Sequence, residues 1–228
     1  MPGAPCDTQQ RHRLSNMTRN PLLILGASGH AKDVISVAKE LGYTRFVMAT
    51  SNGGNGFWGI DHVRIDEAMP TRYPSWDCIV AIGSNRVRRR LIEQFPELTF
   101  INLIAPSAVI ASNVRLGKGC FIGHHAYLGA HSEIGNGVLV NVGAVVGHDC
   151  RIGDYAQLCP RAVVLGNVWL GDDVFLGASS VVNHGTEAAP LRVASRVIVG
   201  MGAVITESIT QEEVRLMVKS NTISIGNP

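Results

Sequence analysis

From Ile104 onward the chain keeps one beat. Every sixth residue gives Ile104, Ile110, Leu116, Ile122, Leu128, Ile134, Val140, Val146, Ile152, Leu158, Val164, Leu170, Leu176 and Val182, an unbroken series of branched aliphatic side chains. The residue after the anchor is usually glycine, as at 117, 123, 129, 147 and 171. The fourth residue after it is small or β-branched, as at Val114, Cys120, Ala126, Ser132, Ala144 and Cys150. A period of six is neither helical nor the period of an ordinary hairpin. It fits a solenoid whose coil is a triangle of three short strands, with anchors pointing into a narrow prism and small residues turning the corners. Three units of six make a coil of 18 residues, so residues 18 apart in this sequence are stacked neighbours.

The beat breaks after Val182 and resumes at Val193 and Val199, with Gly200 and Ala203 in the expected offsets. Eleven residues stand where six would, which predicts a loop of about five extra residues between Asn183 and Leu191. Farther on, Thr210 and Glu213 have the spacing of a helix capping box. Thr210 to Lys219 is therefore predicted as a short C-terminal helix that caps the open coil.

Before residue 104 the pattern is different. Leu22 to Leu25 is a short apolar run, followed by Gly26-Ala27-Ser28-Gly29-His30 and a helical pattern through Val34, Val37, Ala38 and Leu41, stopped by Gly42. Arg45 to Ala49 and Cys78 to Ile82 read as further strands, Asn85 to Gln94 as a second helix, and Phe100 to Leu103 as a last strand. Strands alternating with helices predict a small parallel α/β domain of Rossmann-like type. The expected organisation is a disordered extension over 1–19, the α/β domain over 20–103, the parallel β-helix over 104–207 and the cap over 208–228.

Composition narrows the function classes. The chain has 20 basic and 18 acidic side chains, so charge gives no pointer to nucleic acid or to an anionic membrane surface. No apolar run is long enough to span a bilayer, and the first 20 residues lack the apolar core of a secretory signal. The five cysteines form no CxxC pair and are odd in number, which fits a reducing cytoplasm.

Gly26 to His30 lies between a strand and a helix, where backbone amides and a helix N-terminus make an anion site suited to a diphosphate. It is not the dinucleotide fingerprint. The third glycine is missing, and Thr50, Ser51 and Asn52 follow the second strand where an acid would stand, which argues against NAD.

Two motifs, GASGHAKDV at 26–34 and NVGAVVGHDCRIGDYAQLCP at 141–160, together with the six-residue beat, carry a resemblance. From about Asn20 to Glu207 the chain resembles the bacterial sugar O-acyltransferases of the sialic acid O-acetyltransferase type. That group includes acetyl-CoA-dependent N-acetyltransferases acting on nucleotide-linked amino sugars. The resemblance implies left-handed coils, a homotrimer in the cytoplasm with its sites between subunits, acetyl-CoA as cosubstrate, and a 4-amino-dideoxy sugar as acceptor in surface glycan synthesis. No metal, nucleic acid or membrane insertion is implied.

His148 is the leading candidate for chemistry. It lies two residues after anchor Val146, hence at a corner, and Asp149 can hold its imidazole in one tautomer. The resemblance makes His148 the general base and Asp149 its acidic partner; a surface histidine in a wet corner is the alternative. Gly166 is 18 residues on and should stack on His148, where its N–H could face a developing oxyanion. By resemblance Gln157, Gly166, Ala178 and Met201 contact acetyl-CoA, while Ser28, Gly29, His30, Gly83 and Asn141 contact the sugar nucleotide. Arg86, Arg88, Arg89 and Arg90 read mostly as a solvated helix face, with Arg86 and Arg88 as further candidates beside the Gly83 turn. The sequence departs from many relatives at Gly147, where they have Glu, at Gln157, where they have His, and in lacking an Asp pair after the second strand. Rival readings are O-acetylation of a sialic-acid-like sugar and a non-catalytic trimeric sugar-nucleotide binder. An acyl-cysteine route would need an exposed, activated thiol, and a zinc carbonic anhydrase site is disfavoured because His124, His125, His131 and His148 lack the ligand spacing it needs.

Overall fold

The computed structural model describes residues 19–53, 57–211 and 215–216. The extension expected over 1–19 therefore lies almost wholly outside the described residues. Strand β1 (Leu22–Leu25) is buried along its whole length because it runs through the middle of a parallel sheet. On one side it pairs with β2 (Phe46–Thr50), which pairs with β3 (Asp61–Arg64). On the other it pairs with β4 (Asp77–Val80), which pairs with β5 (Thr99–Phe100). Three helices connect these strands: α1 (Gly29–Glu40), α2 (Met69–Arg72) and α3 (Asn85–Gln94). The strand order 3-2-1-4-5 reverses direction between β1 and β4. A crevice opens at such a point, outside the carboxyl ends of the two strands. Gly26 follows β1 there at φ 126°, and a Cβ on it would lie 2.7 Å from the Ala81 carbonyl oxygen beyond β4, so only glycine lets the two loops meet.

β3 and α2 were not legible in the sequence. β3 is an edge strand, Asp-His-Val-Arg, with one aliphatic residue, exposed ends and a half-buried middle, and α2 is a single turn. The run Phe100 to Leu103 divides: Thr99–Phe100 closes the α/β sheet, whereas Leu103–Ile104 pairs with Phe121–Ile122 and begins the solenoid.

Residues 103–205 form parallel strands stacked in three sheets, as in a left-handed β-helix. In the order the chain visits them, the first face carries Leu103–Ile104, Phe121–Ile122, Leu139–Val140, Gln157–Leu158, Phe175–Leu176 and Ile198–Val199. The second carries Val109–Ile110 through Val204–Ile205, and the third Arg115–Leu116 through Leu191–Val193. Most strands are two residues long, so one side chain points out and the next, the sixth-residue anchor, points in. From Ile122 on every anchor is buried, and with the small corner residues they fill one continuous core. Register advances by 18 as far as Val163↔Val181, then by 23 at Trp169↔Arg192 and Phe175↔Ile198. The five additional residues are the expected loop, which Thr186 and Ala189 close on itself by exchanging backbone hydrogen bonds.

The α/β sheet and the solenoid share a core. Phe121 and Leu139 point outward from the first face into the cluster formed by Leu22, Ile35, Tyr43 and Met48. Helix α3 closes the junction. Arg88 is 1% exposed and donates from Nε to the Gly137 carbonyl at 2.6 Å and from a terminal nitrogen to the Tyr155 carbonyl at 2.7 Å. Arg89 pairs with Asp173 at 2.7 Å and stacks 4.3 Å from the Tyr155 ring centroid. The expectation of a solvated arginine face is thus corrected for these two residues. The physical reason is that the corner carbonyls of the coil need donors once the helix excludes water from them. Burial pushes Arg88 down to about 10, with Asp173 opposing the shift.

The expected C-terminal helix is also corrected. Arg215–Leu216 is a strand paired with Ile198–Val199, which extends the first face by one rung. The top rung of a solenoid offers unpaired backbone groups, and a further strand satisfies them directly. Glu213 of the supposed capping box lies outside the described residues. Among the described residues no helix is long and apolar enough to cross a membrane.

Candidate active site

His148 and Asp149 occupy the corner between the second face, at Val145–Val146, and the third, at Arg151–Ile152. Asp149 turns that corner at φ 56°, as His131 does below at 61° and Asn167 above at 57°. The backbone there is pinned rung to rung: Asp149 N–H donates to the Ala130 carbonyl at 3.0 Å, and Asn167 N–H to the His148 carbonyl at 3.0 Å. The side chains are left free, and both are more than half exposed. His148 Nδ1 lies 2.7 Å from Asp149 Oδ2. A carboxylate only accepts, so Nδ1 carries a proton, and in the neutral ring Nε2 is then the nitrogen with the lone pair.

That lone pair lies against Gly166. A Cβ at Gly166 would fall 2.5 Å from His148 Nε2, so any side chain there would displace the ring. The Gly166 N–H makes no backbone hydrogen bond among the described residues, while the N–H groups of Leu165 and Asn167 on either side do. Gly147 is equally constrained, because a Cβ on it would lie 2.7 Å from Gly166 N. His184, one rung higher, turns away to its own neighbour, with Nδ1 3.0 Å from Asn183 Oδ1.

The other expected site residues fall elsewhere. Asn141, Ala178 and Met201 lie on the corner between the first and second faces. Asn141 Oδ1 accepts from Val142 N–H at 2.7 Å, and Met201 is 75% exposed. Gln157 is on the first face, buried, with Nε2 3.5 Å from Cys159 Sγ and Oε1 without a partner. Ser28 caps α1 without a side-chain hydrogen bond, which leaves its hydroxyl available, and Gly29 opens the helix. His30 packs edge-on against Phe121 at 4.9 Å; its Nε2 is buried without a partner, and burial lowers its pKa. Gly83, with Ser84, Asn85 and Arg86, borders a groove of about 1070 Å³ that runs to Phe175 and Ile198 on the first face.

Residues of the chain thus gather in three places, and one chain does not bring them together. In a triangular prism the corner between the second and third faces stands opposite the first face. The α/β loops sit over the first face; His148 projects on the far side.

Sequence reasoning missed Arg64 and Arg90. Both line the crevice of about 630 Å³ at the ends of β1, β2 and β4, together with Gly26, Ser28 and Thr50. Arg90 was visible as part of a charge run, but Arg64 could not be placed without β3.

Among the described residues no cysteine is an activated thiol. Burial pushes Cys150 and Cys120 up to about 11, and Cys159 also upward. Among the described residues no three His, Cys, Asp or Glu side chains converge as metal ligands would.

A hexapeptide prism with an exposed His–Asp pair packed against a glycine one rung away defines the class of hexapeptide-repeat transferases. Comparison with known proteins agrees. Residues 131–166 match the bacterial transferase hexapeptide (six repeats) model, and residues 21–95 match the PglD N-terminal domain model. A histidine mutant of perosamine N-acetyltransferase from Caulobacter crescentus, solved in complex with CoA and GDP-perosamine, superposes with a TM-score of 0.80. It is 32% identical, over 87% of this chain and 93% of that one. The acetyltransferase domain of PglB from Neisseria gonorrhoeae in complex with acetyl coenzyme A gives a TM-score of 0.74 at 27% identity, over 87% and 93% of the two chains. GDP-perosamine N-acetyltransferase of Escherichia coli O157:H7 is 31% identical over 114 residues, a match that spans about half of that relative, 52% of its length. The chain belongs to the family of perosamine N-acetyltransferase and related sugar acetyltransferases.

Proposed function

We propose that this protein transfers the acetyl group of acetyl-CoA to the amino group of a nucleotide-linked 4-amino-dideoxy sugar. The observation that carries the reading is the stack of Asp149, His148 and Gly166. Asp149 fixes the tautomer. His148 Nε2 takes a proton from the sugar amine as the nitrogen attacks the thioester carbonyl carbon. The oxyanion of the tetrahedral intermediate faces the Gly166 N–H, whose donor is already oriented. Collapse of the intermediate breaks the C–S bond, and the proton held by His148 goes to the departing thiolate. Attack is direct, and the raised cysteines support that choice over an acyl-cysteine.

A homotrimer completes the site in this reading. The outward residues of the second face, Val109, Tyr127, Val145, Val163, Val181 and Val204, form an apolar stripe, with Val109 54% and Val204 62% exposed. The third face is charged, and the first is covered by the α/β domain. An apolar stripe flanked by such faces favours packing on further copies of itself. Three prisms joined by their second faces set the His148 corner of one copy beside the Asn141, Ala178 and Met201 corner of the next. They also bring its Gln157 face and the neighbouring α/β loops within reach. We assign Gln157, Gly166, Ala178 and Met201 to acetyl-CoA, and Ser28, Gly29, His30, Gly83 and Asn141 to the sugar nucleotide. The N-terminal sheet is read as a Rossmann-like module holding the nucleotide in the β1/β4 crevice. The absence of disulfides among the described cysteines supports a cytoplasmic setting.

The test is thiol release from acetyl-CoA across UDP-, dTDP- and GDP-linked amino sugars and free sialic acid. Turnover with one of the amino sugars supports the proposal. Turnover with sialic acid alone would move it to the narrower O-acetyltransferase type, and a folded trimer without turnover on any of them would make it a binding protein.

A further inference from the structure

The third face carries a group that the proposed mechanism does not use. Its outward residues run Arg115, Glu133, Arg151, Trp169 and Arg192 up the prism. The lower pair, Arg115 and Glu133, neutralise each other by an ion pair. The upper three do not follow that pattern. Trp169 is in register with Arg151 on the rung below and Arg192 on the rung above. The Arg151 guanidinium carbon lies 4.3 Å from the indole ring centroid, and that of Arg192 lies 3.8 Å from it. Neither guanidinium pairs with an acid among the described residues. Two unpaired cations on the same face, no more than about 8 Å apart across the indole, repel each other. Stacking on the indole holds both in place, and their in-plane N–H groups remain free to donate.

We propose that the Arg151–Trp169–Arg192 stack binds the nucleotide end of coenzyme A, taking its 3′-phosphate and diphosphate. The inference rests on the acetyl-CoA reading above. Three observations direct it to this ligand. The stack lies on the acyl-transfer side of the prism: Trp169 follows Gly166 by three residues, on the face that begins at the His148 corner. A recess of about 490 Å³ opens beside it, bordered by Arg151, Trp169, Arg192, Ser195 and Thr210. Two guanidiniums separated by an aromatic plane suit a ligand with phosphates at separated positions around a purine, and coenzyme A carries such a group at the end remote from its thioester. Arginine's planar fork reads phosphate oxygens in pairs, and its flat face can stack on adenine.

The experiment compares wild type with Arg192→Gln and Arg151→Gln, both solvent-facing changes whose folding is checked by thermal melting. Binding of CoA and of adenosine 3′,5′-bisphosphate is measured by calorimetry, and initial rates are measured with acetyl-CoA and acetyl-dephospho-CoA. Loss of one charged phosphate contact should weaken CoA and the bisphosphate about tenfold or more. KM for acetyl-CoA should rise to match, with kcat and the KM of the sugar nucleotide unchanged. The wild-type preference for acetyl-CoA over its dephospho form should shrink in at least one variant. If wild type binds CoA and both variants bind it as tightly, the anchor is wrong while the acetyl-CoA reading stands. If wild type binds no CoA, the acetyl-CoA reading fails and the anchor with it.

Discussion

His148 Nε2 and Gly166 sit one rung apart, so close that a single methyl group on Gly166 would fall 2.5 Å from the ring nitrogen. The six-residue beat put them there, since the corner positions repeat every 18 residues until the beat breaks after Val182. The contact sets that nitrogen against a glycine whose N–H makes no backbone hydrogen bond among the described residues.

Gly166→Ala should therefore act on chemistry more than on folding. The methyl swings the imidazole off its position over the amide, and kcat should fall on the order of 100-fold, the range for a mispositioned general base or oxyanion donor. The KM of the sugar nucleotide should stay within a few-fold, and the melting temperature should change little. Steady-state kinetics beside a thermal melt check this.

Asp149→Asn tests the tautomer. An amide can donate to Nδ1 as well as accept from it, so the proton is no longer confined to Nδ1. A drop in kcat of about tenfold or more is expected, with CoA binding intact. An unchanged kcat would mean that the 2.7 Å contact serves only the corner turn.

Arg88→Met removes a buried donor from Gly137 and Tyr155 carbonyls that no water reaches. Leaving both carbonyls unpaired should cost on the order of 3 kcal/mol. Arg88→Lys should rescue little, since one ammonium cannot span the two carbonyls as the planar fork does. Denaturant unfolding measures the difference, and exposed Arg86→Met is the control.

His30 gives the fold an acid limit. Burial is the largest influence on it and lowers its pKa; the Arg88 charge adds to that, and Asp33 opposes it. The neutral ring is the form the fold accepts, so its contribution is complete above the ordinary value of ~6.5 and is lost as pH falls through the lowered folded value. His30→Phe should therefore flatten the fall in melting temperature between pH 7 and pH 5, as a pH series of melts would register.

Val163→Asp places a charge at the middle of the second face without touching the His148 corner. Light scattering should show a monomer in place of a trimer, and acetyl transfer should be lost although His148, Asp149 and Gly166 are intact. An active monomer would contradict the intersubunit site.

Much of the solenoid was legible because its signal is periodic. The anchors from Ile122 to Val199, the rung spacing and the loop after Val182 all follow from which residues must face a prism too narrow for anything else. Junctions were less legible. Arg88 read as a surface charge or as a ligand contact beside the Gly83 turn, because nothing local to α3 announces the carbonyls of Gly137 and Tyr155 that wait for it. β3 was hidden because an edge strand with half-buried side chains has little pattern to show. The C-terminal segment carried a helix-like spacing at Thr210 and Glu213, but the open rung at Ile198–Val199 binds a strand instead. The candidate site was legible in pieces. Stacking of Gly166 on His148 is local arithmetic, whereas the division of the remaining residues between two other sides of the prism is a property of the triangle.

The most direct test is the rate of acetyl transfer by His148→Ala, measured by thiol release with saturating acetyl-CoA and whichever amino-sugar nucleotide the wild type accepts. The account predicts a trimer that binds both substrates as before and turns over about 1,000-fold more slowly, within the range expected for loss of a general base. A variant that transfers acetyl groups at the wild-type rate would contradict it.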